Sequence, residues 1–202
     1  MGHSRAEKAE SRKRILAAAS TRIREDGLDG ISVGELMKSV NLTHGGFYGH
    51  FESRSALIAA ALEQALSEGE AASAAHSGKH GSTTVKSIVN SYLSPAHRDH
   101  PSSGCAIPTL AGEVGRAEPE VRAIMAQQLA KSFEIMGDAL GGDATGETDQ
   151  DREQFAISAW SMMVGAMMIS RIMKDDPQAD SVLAMARKSI LELEALHGGR
   201  AG

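Results

Sequence analysis

Apolar residues recur at intervals of three and four along most of the chain, and no stretch alternates apolar with polar as a half-buried strand would, so the pattern predicts an all-α fold. The first segment runs from about Ala6 to Asp26, with Ile15, Leu16, Ala19 and Ile23 on its inward face and Gly27 as its C-cap. The next is short. Ser32 is a good N-cap, Val33, Leu36, Met37 and Val40 share one face, and Asn41 marks the stop. A helix that turns within about four residues ends on a left-handed residue, and Asn tolerates that conformation better than any residue except Gly. Thr43 caps a second short helix, and a long one starts at Ser53 and fades in the Gly/Ser stretch 76–82. Further helices are expected over Thr83 to Leu93, about Cys105 to Arg116, Glu118 to Leu140, about Asp149 to Lys174 and Asp180 to Leu196. A broken segment Ser94 to Gly104, a polar Gly-rich stretch 141–148 expected to be mobile, and Asp175-Asp176-Pro177 separate them.

Two short helices about a tight corner, followed by a longer one, make a helix-turn-helix over 32–51. Its second helix, His44 to Phe51, is poor by intrinsic propensity, since Gly45, Gly46 and Gly49 cost about 1 kcal/mol each against Ala. Stability did not select it. Small residues let a backbone approach a surface closely, His44, Tyr48 and His50 offer hydrogen-bonding side chains, and Phe47 and Phe51, four apart, anchor the element inward. A helix lying in a DNA major groove needs this combination.

From Arg14 to the start of the long helix the chain resembles the TetR/AcrR family of transcriptional regulators. The resemblance is carried by the amphipathic RILAAASTRIREDGLDG, Ser32-Val33, Leu36, the small-residue turn, Phe47-Tyr48-x-His50-Phe51 and Ser53-Arg54-x-x-Leu57. Arg54 stands for the family's usual Lys, Asn41 for its Gly, and Gly34 for a long polar side chain. The resemblance implies a three-helix DNA-binding domain over residues 9–69 and a larger helical effector-binding and dimerisation domain over 70–198. It implies a homodimeric repressor, released from a palindromic operator in double-stranded DNA by a small-molecule effector. On its motif, Ser32, Thr43, His44, Gly45, Gly46, Tyr48, His50 and Arg54 would bind DNA. His44, Tyr48 and the Gly45-Gly46 backbone would face the groove, with Thr43, His50 and Arg54 on phosphates or near them.

The formal charge of −5 looks wrong for such a partner until it is divided by region. Residues 1–55 carry nine Lys/Arg against seven Asp/Glu, and the remainder twelve against nineteen. A mildly basic module on an acidic body is what phosphate attraction requires. No run of about eighteen apolar residues occurs, and the N-terminal residues lack the apolar core of a signal peptide, so a cytoplasmic protein without a membrane span is expected. A single Cys excludes an internal disulfide.

The segment from Asp149 is apolar nearly all round, through Phe155, Trp160, Met163, Met167, Ile169 and Ile172, and Gly165-Ala166 would permit close helix approach. The resemblance assigns it, with the final helix, to the dimer interface; a central helix of the monomer's own core fits the same pattern. Candidates for an apolar effector pocket with a few polar groups are Tyr92, His97, His100, Cys105, Met125, Phe133, Met136, Trp160 and Met163. A Met stripe at helical spacing also fits plain core packing. Cys105, beside Gly104 at an expected helix start and downstream of His97, Arg98 and His100, fits a thiol sensor of electrophiles or oxidants, or a small buried hydrophobe. No ligand spacing for a metal is complete, no cofactor is implied, and no nucleophile elbow or phosphate loop supports an enzyme. A further alternative is a ligand-binding dimer without sequence-specific DNA binding.

Overall fold

A computed structural model of the chain describes residues 5–77, 83–141 and 148–198, and among these the regular structure is helical, with no strand. Most of the expected Gly/Ser loop and Gly-rich connection, at 78–82 and 142–147, lies outside the described residues. The chain forms two compact units, Met1–Gly69 with Pro101–Met125, and Glu70–His100 with Ala126–Gly202.

In the first unit, α1 (Arg5–Asp26) buries Ile15, Ala19 and Ile23, as its spacing predicts, and ends at Gly27, whose φ of +79° closes it. Next come α2 (Val33–Ser39), a 3-10 helix His44–Gly49, and α3 (Arg54–Ser77), which buries Leu57, Ala61, Leu62 and Ala65. Arg24 is 3% exposed and pairs with Glu68 of α3, which also accepts from Gln64 Nε2 (2.7 Å) and Ser20 Oγ (3.3 Å). A buried cation tolerates such a place only when paired and bonded, so the network fixes α1 on α3.

The segment Ser94–Gly104, expected to be broken, contains α5 (Pro95–Asp99), capped by Ser94, and a 3-10 turn Pro101–Ser103 against α1. The helix expected from Cys105 begins later: α6 spans Ile107–Val114 with Ala106 as its N-cap, so Cys105 stands ahead of the cap. The Pro of the second position starts it without loss of a hydrogen bond. Its buried residues Ile107, Leu110 and Val114 belong to the first unit, together with Val121 and Met125 at the start of α7 (Pro119–Leu140).

In the second unit, α4 (Val85–Tyr92) opens on a capping box between Thr84 and Ser87 and buries Val85 and Val89. The antiparallel pair α8 (Asp149–Ile172) and α9 (Gln178–Gly198) supplies the main core, with Phe155, Ala159, Met163 and Met167 facing Leu183 and Ile190. Asp151 reaches back to the Thr148 amide at 3.1 Å, starting α8. Among the described helices α8 is long and apolar enough to cross a membrane by length and composition alone, which a search for an unbroken apolar run does not register. Its apolar residues divide between this core and an open face.

Candidate nucleic-acid interface

Local sequence sets each part of the helix-turn-helix. The Ser32 hydroxyl accepts the Glu35 amide at 3.5 Å, and Leu36 and Met37 drop into the core. At the far end Asn41 has φ +58°, its amide bonds the Lys38 carbonyl at 3.1 Å, and Leu42 bonds back to Met37 at 2.9 Å. Those two bonds and the left-handed residue form a Schellman motif, which turns the chain and uses the orphan carbonyls of α2. Arg14 of α1 takes a third, donating to the Val40 carbonyl at 3.3 Å.

Thr43 then caps the second element, accepting the Gly46 amide at its hydroxyl (3.3 Å) and its carbonyl (3.0 Å). The expected helix here is a 3-10 turn. With three glycines in six residues, little intrinsic preference favours the wider α turn, and short i to i+3 closures suffice. Phe47 and Phe51 anchor it, 1% and 4% exposed, with ring centroids 5.8 Å apart, and the Arg12 guanidinium lies 4.5 Å over Phe51.

The outward face carries Thr43, His44, Gly45, Gly46, Tyr48 and Gly49, all exposed, with His50 half-buried behind them. Tyr48 is 69% exposed and stands edge-on to His44 at 6.5 Å. A Cβ added at Gly45 or Gly49 would meet no atom within 4 Å, so nothing inside the protein calls for glycine at either position. Arg54, with a side chain 42% exposed, bonds the backbone before α2: Nη2 donates to the Leu28 carbonyl at 2.8 Å and Nε to the Ile31 carbonyl at 3.1 Å. The motif spacing gave no sign of this, because the partners lie more than twenty residues back. Motif reading also missed Arg12 and Arg14, which join this element from α1; the Arg12-Lys13-Arg14 run was the available signal.

The pocket candidates divide. Tyr92, His97 and Trp160 come together, Tyr92 edge-on to His97 at 4.6 Å and to Trp160 at 5.2 Å. Trp160 Nε1 donates to the Ser132 carbonyl at 2.8 Å, and Phe133 packs on the same core. Met136 and Met163 are fully buried within it. His97 Nδ1 meets the Tyr92 carbonyl at 2.8 Å; burial holds its imidazole below the ordinary value, the carbonyl opposes this, and Arg171 adds to the depression. His100 is exposed on the surface, its Nδ1 3.0 Å from the Ala96 carbonyl, so it does not join the aromatic group. Cys105, half-buried, and Met125, buried, belong to the first unit. No group of three or more His, Cys, Asp or Glu that could hold a metal occurs among the described residues.

A helix-turn-helix with an exposed glycine-rich face, on a chain whose described residues are otherwise helical, has the architecture of helix-turn-helix DNA-binding proteins. Residues 15–61 match the family model described as bacterial regulatory proteins, tetR family, and residues 81–186 match the tetracyclin repressor-like C-terminal domain. The chain belongs to the TetR family of transcriptional regulators, which are DNA-binding proteins and not enzymes. Solved structures share its fold. A TetR-family regulator from Cytophaga hutchinsonii is 22% identical with a TM-score of 0.77, covering 95% of this chain and 98% of its own. One from Chloroflexus aurantiacus matches equally, at 22% and 0.77, over 93% and 95%. The reduced form of Escherichia coli NemR is 20% identical with a TM-score of 0.68, over 89% and 96%. Comparison with curated proteins finds no match.

Proposed function

We propose that this regulator acts in the cytoplasm as a homodimeric repressor that binds a palindromic operator and is released by a small-molecule effector. The observation that carries DNA recognition is the face His44–Gly49: two glycines without an internal reason flank exposed polar side chains on a firmly anchored turn. Bare backbone costs folding stability here and is repaid where a duplex must come close. Ser32, Thr43, His44, Gly45, Gly46, Tyr48 and His50 form the contact surface in this reading, and Arg54 supports it from behind.

The dimer reading rests on α8 and α9. Met162, Gly165, Ala166, Ile169, Val182 and Met185 line an open apolar groove of about 530 Å³, and Ile172 at the end of α8 is 84% exposed. A Cβ at Gly165 would meet nothing within 4 Å, so this glycine too lacks an internal reason. Effector binding is assigned to the second unit around Tyr92, His97, Phe133 and Trp160, where an aromatic group meets a few polar ones.

A gel shift with the DNA upstream of the protein's own gene, across salt concentrations, tests this. Tyr48→Ala and His44→Ala are expected to weaken specific binding about tenfold each, with unchanged melting and an unchanged salt slope. Wild-type affinity in both variants would remove this face from the interface.

A further inference from the structure

Glu113 lies on α6, more than fifty residues beyond the stretch matched as the DNA-binding domain, yet its carboxylate reaches the base of the helix-turn-helix. Oε2 accepts the Leu28 backbone N–H at 2.7 Å. The carboxylate lies directly against Gly27, where a Cβ would come within 2.5 and 2.8 Å of its two oxygens, while the glycine itself is favoured by the backbone φ of +79°. From the other side Arg54 donates to the Leu28 carbonyl at 2.8 Å and to the Ile31 carbonyl at 3.1 Å. Leu28 is therefore gripped at its N–H by an anion and at its C=O by a cation. The gripped residues form the short connection between α1 and the Ser32 cap of α2, so whatever fixes Leu28 fixes where α2 starts.

The sign of the charge argues for a purpose beyond helix stability. A carboxylate at the C-terminus of α1 stands at the negative end of that helix's dipole, where an anion is unfavourable. Its compensation is the charge-assisted bond to the loop amide. We propose that Glu113, acting with Arg54 through the Leu28 peptide, is a positioning residue for DNA recognition: it sets the placement of α2, and with it the Thr43–Gly49 face, without touching the duplex. The proposal rests on the DNA-binding reading above.

The test uses the full-length protein, with Glu113→Ala, Glu113→Gln, Arg54→Lys and the Glu113→Ala/Arg54→Lys double variant. Two quantities are measured: amide exchange at Leu28, and affinity for the upstream fragment against a random duplex by anisotropy. Glu113→Ala is expected to speed exchange at Leu28 and to weaken the upstream fragment about tenfold at an unchanged salt slope. Glu113→Gln, whose amide oxygen still accepts the N–H, is expected to recover most of both. Arg54→Lys, which keeps the charge but loses the two-pronged geometry, should resemble Glu113→Ala, and the double variant should be little worse than either single one. The proposal is overturned if Glu113→Ala leaves Leu28 exchange or fragment affinity at the wild-type value, or if Glu113→Gln is as impaired as Glu113→Ala. If the wild type binds neither duplex, the DNA reading fails, and exchange at Leu28 alone decides whether the grip exists.

Discussion

Gly45 and Gly49 separate fold from function at single residues. Each sits in a helical turn where Ala would be favoured by up to about 1 kcal/mol, and each points into open space. Gly45→Ala and Gly49→Ala are accordingly expected to raise the melting temperature slightly, or leave it alone, while weakening operator binding. Thermal melting and gel shifts on the same preparations check this. A gain or no change in both quantities would mean that no surface approaches the turn closely. At Gly46 a Cβ would make ordinary van der Waals contacts, 3.5 Å from Thr43 Oγ1 and 3.7 Å from Met37 Cε, so Ala is expected to be tolerated by the fold there as well. The neighbouring Tyr48 presents the reverse case, a large ring left 69% exposed on a turn whose other aromatics are buried.

The elements show what a sequence discloses and what it withholds. Asn41 could be read as a left-handed stop because its cause is local: α2 must end and turn within a few residues, and the φ of +58° with the Leu42–Met37 bond is the result. Replacing Asn41 by Ala, which dislikes φ > 0, is expected to cost about 1–2 kcal/mol, whereas Gly should be neutral or mildly stabilising. Chemical denaturation of the two variants checks the order; equal stability would deny that the left-handed turn is under strain. The aromatic anchors, the Ser32 and Thr43 caps and the ends of α7, α8 and α9 were legible for the same local reasons. The 3-10 character of His44–Gly49 was not, because periodicity over six residues does not distinguish the two helical windings. Nor were the backbone bonds of Arg54 and the reach of Glu113 to Leu28, whose partners are 26 and 85 residues away and whose cause is tertiary. α6 starts at Ile107 with Pro108 tolerated in its first turn, which leaves Cys105 outside the helix. The helix-terminus argument for an activated thiol weakens accordingly, and Cys105 instead packs near Gly69 of α3.

For the whole molecule, one helix-turn-helix with a handful of groove contacts binds DNA weakly, and a palindromic site is read by two. In the proposed dimer the open face of α8 and α9 holds the two copies together: Ile169 and Met185, 48% and 58% exposed, line one apolar groove, and Ile172 of the same helix α8 is 84% exposed. A second copy meeting this face about a two-fold axis would form a four-helix arrangement in which Gly165 admits close packing. Ile169→Glu and Met185→Glu, both on the exposed side, should leave the buried core of Phe155, Met163 and Leu183 intact and so preserve helicity and monomer melting. Each places two unpaired charges across the axis and is expected to give a monomer in sedimentation. Since joining two sites raises affinity by about 10²–10⁴ through effective concentration, operator binding should fall at least about a hundredfold, whereas weak binding to random duplex should remain. A stable dimer in both variants would move the interface elsewhere on the chain, and a monomer that still bound the operator at full strength would show that one copy is the functional unit.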